Sequence, residues 1–518
     1  MHQIKNFLSF LLILVLTTMI SGCNRNNIIS PGKIIPPENY DIAISGEWII
    51  KKYYPTTSSG DSKSAEDKIG KIIYVDKDKL ELLDKTCISP NFKIKTVDTT
   101  SYLASNYGIT PSILNIEQAD IQVITVTNKD NYFTSFIKLN NNNLIATIDD
   151  NFFLLTKKSE IINENSNNKI SSNSKSSKQS TFPKNLDSGL LLGLKSYVPC
   201  CEVSVKNSPK VVYRPSFRTI WINFNTPKIE NIYTIPHLVY ARKTGFWYVT
   251  TNYTSSNNFN GYQILTYPIT KNNNPKLIKS PIKNDIINSG DSYCIDDVLF
   301  IGDDYISLEL KSGFLNGNNS FYLDNTLRVQ PIDTFNNNKD DYSISISKLL
   351  GRQGLKSLKQ GAATYVNSLD FNERKNLNPD PDDKSFGVIR KNGKWILKGR
   401  LNYFYGSYDE SSFKDCEDFD IPIIPPKELI GYDLLFPNWN IIKRKIPDAL
   451  DAYSSPDKNF VVVLTNSKIL IYNIINNDLS NSPIETLNLE KNEVAVMAQW
   501  ATGSYVKTWD DQMKKIKN

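Results

Sequence analysis

Few residues in this chain can do acid–base or nucleophilic chemistry. His2 and His237 are the only histidines among 518 residues, so a Ser-His-Asp or Cys-His mechanism would have to use His237 as its base. His237 stands in "IYTIPHLVYARK" between apolar neighbours, with no G-x-S-x-G motif, and reads as a hydrogen-bonded structural histidine. Carboxylates are more promising, because a glycosidase needs only two of them held several ångströms apart. The candidates are Asp296-Asp297 with Asp303-Asp304, and the acidic run Asp415, Glu417, Asp418 and Asp420. Adjacent aspartates between strands usually cap backbone N–H groups in turns, and both groups are assigned to turns and solvated loops. The stretch "DPDDKS" at 380–385 lacks the fifth-position Asp/Asn and the bidentate Glu of a calcium loop, so it too reads as a loop. No G-x-x-x-x-G-K-[ST] or G-x-G-x-x-G sequence offers a phosphate cradle, and no cofactor is expected.

Aromatics are the remaining candidates for recognition. Tyr213, Trp221, Trp247, Tyr248, Tyr253, Tyr262, Trp395, Tyr403, Tyr405 and Tyr408 stand in or beside apolar runs. Alternation along a strand turns about half of such residues inward. The others supply broad contact area at low entropic cost, and Trp247, Tyr248, Tyr253 and Tyr405 are taken as the candidate ligand-binding set.

Six cysteines are present. Cys23 ends an apolar leader: Lys5 is the only charged residue before it, Phe7 to Val15 is apolar apart from Ser9, and Ser21-Gly22 precede it. This is the layout of a secretory signal peptide, too short for a comfortable membrane span. The order Ile20-Ser21-Gly22-Cys23 resembles the lipobox of bacterial lipoproteins. The resemblance implies cleavage before Cys23, lipidation of its thiol and attachment to the outer face of the cytoplasmic membrane. Two acyl chains hold a protein where one would release it, at about 0.8 kcal/mol per buried CH₂. The other five, Cys87, Cys200, Cys201, Cys294 and Cys416, are odd in number and scattered, which is not a disulfide framework. No CxxC spacing suggests zinc.

The formal charge is +6, or +5 once Lys5 leaves with the leader. No Lys/Arg block stands out, so nucleic acid is not an expected partner. Abundant Asn, Ile and Lys, with Lys exceeding Arg, fit an AT-rich genome.

The chain is long enough for two domains. Residues 23–40 read as a Pro/Asn-rich tether. Residues 41–158 show short β-type runs separated by polar turns, the pattern of a small barrel or sandwich. Here Gly46-Glu47-Trp48 and the later "FIKLNNNNLIATIDDNFFLL" resemble the G-x-W strand and closing hairpins of lipocalin-like proteins, which implies a small β-barrel. Residues 159–187 are dominated by Ser, Asn and Lys and are expected to form a disordered linker. In 188–518, hairpin-like pairs of apolar runs recur at 298–310, 321–329, 386–405 and 455–474. The last resembles the inner hairpin of a β-propeller blade, and at about 45 residues per blade the length would hold roughly seven blades. A helical insertion is expected at Leu355–Leu369, where Leu355, Leu358, Ala362, Tyr365 and Leu369 share one face. The expected class is therefore mainly β, a lipocalin-like barrel followed by a larger, irregular propeller-like domain with a few helices. Residues 213–222, 240–249 and 494–509 resemble segments of uncharacterised low-GC Gram-positive lipoproteins. The expected function is a membrane-anchored extracytoplasmic lipoprotein, binding or assembling envelope components such as a protein or glycan. The alternative is a carboxylate-dependent hydrolase of an envelope polymer.

Overall fold

Alternating apolar runs in the N-terminal region pair into a nine-stranded antiparallel sheet: Gly46–Tyr54, Ile72–Val75, Lys79–Leu82, Lys85–Ile88, Asn91–Asp98, Asp120–Asn128, Asn131–Lys138, Asn143–Ile148 and Asn151–Ser159. Each strand pairs with its neighbours in the chain, with two exceptions. The first strand also pairs with the last, Ile50 opposite Leu155, and among the described residues no ladder joins Lys85–Ile88 to Asn91–Asp98. Trp48 is 1% exposed, and its indole N–H donates to Ile44 O at 2.9 Å, so the aromatic of the G-x-W segment is core. The helix Thr99–Tyr107 starts where Asp98 Oδ1 accepts from Ser101 N at 2.7 Å and ends on Gly108 at φ +66°. It buries Leu103 and Tyr107 against Ile121, Ile137, Ile145 and Phe152.

The computed structural model describes residues 44–55, 62–128, 131–148, 151–159, 187–205, 208–256, 259–269, 286–287, 292–315, 321–334, 342–404 and 416–517. Cys23, the tether, the Ser/Asn/Lys segment at 160–186, Tyr405, Tyr408 and Asp415 lie outside them. Among the described residues no helix is long and apolar enough to cross a membrane.

Beyond residue 187 four sheets form a propeller-like arrangement. The first blade holds Lys228–Pro236, Ser208–Asn225 and Asp187–Val205, with the late strand Val494–Thr502 on the free side of Asp187–Val205. One blade is thus built from both ends of the region, which closes the ring. The second blade runs Leu238–Arg242, Gly245–Ser256, Phe259–Pro268, Ser292–Ile301, Tyr305–Leu315 and Phe321–Pro331. The third is Phe386–Lys391, Lys394–Asn402 and Cys416–Asp420. The fourth is Asp451–Ser454, Phe460–Leu464 and Lys468–Ile475, with Asp478–Leu479 and Glu485–Asn488 at its edge. Four blades replace the roughly seven that length suggested. The 45-residue repeat fails because the first blade has strands of 19 and 18 residues and because long segments between blades join none of the four sheets.

Three hairpins outgrow the ring on one side. Phe259 pairs with Ser292, Ser292 pairs with Phe314, and Ile286-Ile287 pair alongside Glu202-Val203. The hairpin ends at 205/208, 256/259 and 315/321 therefore rise at the same end of the propeller. Tyr213 and Val211 are exposed on the first of them.

The expected helical insertion is present as Ile346–Ser368, capped by Ser345 and broken at Gly351, where φ is +63°. Leu355, Leu358, Ala362, Tyr365 and Leu369 all pack on the central core with Phe419 and Leu397.

Candidate functional site: a charged cluster where three blades meet

Strand alternation positions this site. Lys195 and Tyr197, two residues apart, share one face of Asp187–Val205. Asp297 and Glu309 are partners in register across Ser292–Ile301 and Tyr305–Leu315, and Lys311 is two residues from Glu309 on the same face. Arg400 is in register with Asp418 in the third blade. The packing of the three blades brings these faces together.

Lys195 Nζ donates to Asp297 Oδ1 at 2.7 Å, and the side chains are 3% and 0% exposed. The Tyr197 hydroxyl donates to Asp297 Oδ2 at 2.6 Å, and Lys311 Nζ donates to the same oxygen at 3.1 Å. Lys311 also reaches Glu309 Oε2 at 3.2 Å. Glu309 Oε1 accepts from Arg400 Nη2 at 2.6 Å. Arg400 clasps Asp418 through Nε at 2.7 Å and Nη2 at 3.0 Å, and Lys398 pairs with the same carboxylate. The chain of charges runs unbroken from the first blade through the second to the third.

The electrostatics follow from burial and pairing. Burial alone would raise Glu309, but Lys311, Arg400 and Lys398 outweigh it and hold its carboxyl down at about 2. Burial likewise works against ionisation of Asp418, and Arg400 and Lys398 overcome it to lower its pKa. Burial pulls Lys195 down against the attraction of Asp297. The phenol of Tyr197 is raised, first by burial and then by Asp297. A carboxylate held at about 2 has no proton to give near neutrality, so Glu309 is not a general acid.

The acidic candidates are distributed over strands, a turn and a helix start. Asp296 and Asp297 lie inside the strand Ser292–Ile301, not in a turn, and as strand neighbours they face opposite sides. Asp296 Oδ2 accepts from Ile264 N at 3.3 Å, just past the point where the parallel pairing of the two strands ends. Burial raises its carboxyl to about 6, against the Ile264 N–H and Arg328. Asp303 and Asp304 do occupy an exposed turn, with Asp303 Oδ1 accepting from Gln499 Nε2 at 3.0 Å. Glu417 accepts from Tyr403 at 2.9 Å and Tyr365 at 2.8 Å, and Asp420 pairs with Lys391. In "DPDDKS", Asp383 accepts from Ser347 N at 3.0 Å and so joins the start of the long helix. Among the described residues no three of His, Cys, Asp and Glu gather as a metal site.

His237 sits at φ +90° at the corner between the first two blades, its ring edge-on to Tyr248 at 5.8 Å. Its backbone N–H donates to Phe217 O at 3.0 Å and its backbone carbonyl accepts from Thr219 Oγ1 at 2.9 Å. Burial lowers its pKa.

Tyr405 lies outside the described residues, and the described candidates Trp247, Tyr248 and Tyr253 do not converge. Tyr248 is buried in the core with Val249 and Leu238. Trp247 is half-buried, with the Arg242 guanidinium 5.4 Å over its ring and its N–H on Thr244 Oγ1 at 3.2 Å. Tyr253 lies six residues further along the same strand, about 20 Å away at strand rise, and pairs in register with Tyr262. The residues that do converge were marked only by charge at alternate positions inside apolar strands, "LLLGLKSYV" and "ISLELKSGF". A buried strand of this kind would ordinarily read as continuous hydrophobics.

Segments 213–222, 240–249 and 494–502 also meet. Residues 213–222 and 494–502 flank Asp187–Val205 on either side. Gln499 closes on the 240–249 segment by accepting from Ala241 N at 2.7 Å and donating to Ala241 O at 3.1 Å. Comparison with protein-family models and with curated proteins finds no match for this chain.

Proposed function

We propose that this protein is a lipid-anchored, extracytoplasmic lipoprotein that carries a lipocalin-like domain and a propeller-like domain, and that its work is binding or assembly in the cell envelope. Cys23, behind an apolar leader and two small residues, would be the lipidated residue and the cytoplasmic membrane its support. One observation carries the non-catalytic part: Asp297, Glu417, Asp418 and Asp420 are each committed to a lysine, an arginine or a pair of tyrosines. Carboxylates so engaged hold the structure together, Asp297 by joining the first blade to the second and the others by tying the third blade to itself and to the long helix, and are poorly placed to shuttle protons. The hairpins that rise on one side of the propeller offer a surface for an envelope protein or glycan, with Tyr213 exposed on one of them.

The anchor is tested by metabolic labelling with a fatty acid. Wild type should incorporate label, and Cys23→Ala should not; label kept by the variant overturns the assignment. The binding role is tested by offering purified envelope polymer to the full chain. Retention without degradation is expected. Degradation that Asp296→Asn abolishes, with the fold intact, would favour the hydrolase instead.

A further inference from the structure

The long helix Ile346–Ser368 carries Lys348, Arg352, Lys356 and Lys359 and no carboxylate. After the break at Gly351, Arg352, Lys356 and Lys359 recur at i, i+4 and i+7, so they stand above one another on one side of the helix. The side that carries Leu355, Leu358 and Ala362 is packed on the core, which leaves the basic side to solvent. All three cations are exposed, and among the described residues none of them forms an ion pair. Like charges so spaced repel one another, so the helix gains nothing from them by itself.

The helix ends beside two exposed phenyl rings. Phe371 opens the short helix Phe371–Arg374 and is 79% exposed. Arg374 Nη2 donates to the Leu369 carbonyl at 2.9 Å and to the Asn367 carbonyl at 3.3 Å, which fastens the short helix to the end of the long one. Phe404 is 49% exposed, and its backbone N–H on Asn376 O at 2.8 Å holds it next to Lys375. Arg374 and Lys375 are exposed as well. Against these five cations stand only Glu373 and Asp370, whose Oδ1 already accepts from Asn372 N at 2.8 Å and Glu373 N at 3.0 Å. Exposed apolar area rimmed by polar groups marks an interaction surface. A soluble polyanion would account for the cations but not for the rings. A bilayer with anionic headgroups takes both, because the headgroups attract the cations while the rings enter the boundary with the acyl chains.

We propose that this surface, Arg352, Lys356 and Lys359 with Phe371 and Phe404, docks on an anionic phospholipid bilayer. The inference deepens the lipid-anchor reading by naming the part of the propeller-like domain that meets the membrane, and rests on that reading. A chain already anchored meets the bilayer at high effective concentration, where a few weak contacts suffice.

The test is hydrogen exchange of the full chain, read by mass spectrometry, on vesicles of phosphatidylcholine alone and on vesicles of phosphatidylcholine and phosphatidylglycerol in equal parts. Amides of residues 352–375 should exchange about tenfold more slowly on the anionic vesicles only. Arg352→Gln, Lys356→Gln and Lys359→Gln combined, all at exposed positions, should keep the far-UV circular dichroism of wild type and remove that slowing; Phe371→Ser should reduce it. Equal exchange on the two kinds of vesicle, or slowing that the folded triple variant keeps, overturns the bilayer site. So does equal slowing by soluble polyglutamate, which would assign the cations to a soluble polyanion. Fatty-acid labelling that Cys23→Ala abolishes would leave the anchor standing in each of those cases, so the two readings fail separately.

Discussion

The ammonium of Lys195 lies 2.7 Å from the carboxylate of Asp297 across 102 residues of sequence, with both side chains sealed from water. This pair joins the first blade to the second, and Tyr197 and Lys311 complete the carboxylate's partners. Replacing Asp297 by Ala strands the sealed Lys195 ammonium and the Tyr197 phenol, while Lys311 keeps Glu309. Loss of one partner of a buried pair is worth about 3–5 kcal/mol. Urea unfolding of Asp297→Ala should show a loss of that order, whereas Asp304→Asn in the exposed turn should stay within about 0.5 kcal/mol of wild type. Equal midpoints for the two variants would mean that the buried pair does not hold the blades.

Asp296, on the other side of the same strand, gives the protein a pH dependence of the opposite sign to ordinary acid denaturation. Its carboxyl titrates at about 6 in the folded chain, above its ordinary value of 3.8, first because it is buried. The folded state therefore holds this proton more tightly than the unfolded state does. The resulting stability is complete below about pH 4 and is lost as pH rises through about 6. Asp296→Asn keeps an acceptor for Ile264 N and removes the charge. Its advantage over wild type should be near zero at pH 4 and grow to about 1–3 kcal/mol above pH 7. Thermal melts of the two proteins across that range measure the difference, and parallel curves would rule the mechanism out.

Gly189 is required by the indole beneath it. A Cβ there would fall 2.0 Å from Trp221 Cη2. The ring has no easy retreat, because its N–H is held by Asp510 Oδ1 at 2.8 Å and Trp509 packs beside it. Gly189→Ala should destabilise the protein by about 1–3 kcal/mol through overpacking, and should shift tryptophan emission. A melt indistinguishable from wild type would show that the C-terminal helix Ser504–Lys517 yields freely.

The composition of residues 159–187 predicts where proteases act first, since a polar segment with little to bury offers an accessible backbone. Limited digestion should cut there before elsewhere and leave fragments near 41–158 and 188–518. Those fragments need not separate under native conditions: Asn440 Nδ2 donates to the Tyr107 hydroxyl at 3.4 Å, and Lys394 lies against Gly108. Early cuts confined to the blades would contradict the linker assignment.

Local signals carried the β-rich class and the long helix with its Leu355, Leu358, Ala362 and Tyr365 face, because alternation and 3.6-residue periodicity act over a few residues. They also carried the turn at Asp303-Asp304. They led astray at Asp296-Asp297, where two adjacent aspartates looked like a turn and are strand. Nothing local reveals that Asp297 will meet a lysine from another blade, since a charge in a strand is tolerable only when its distant partner is known. Blade number was equally hidden, because strand length and ring closure by Val494–Thr502 depend on pairings between opposite ends of the region. The alternating patterns of single strands were written in the sequence. The cluster of Lys195, Asp297, Lys311, Glu309 and Arg400 exists only because three blades pack together and exclude the water that would otherwise solvate each charge.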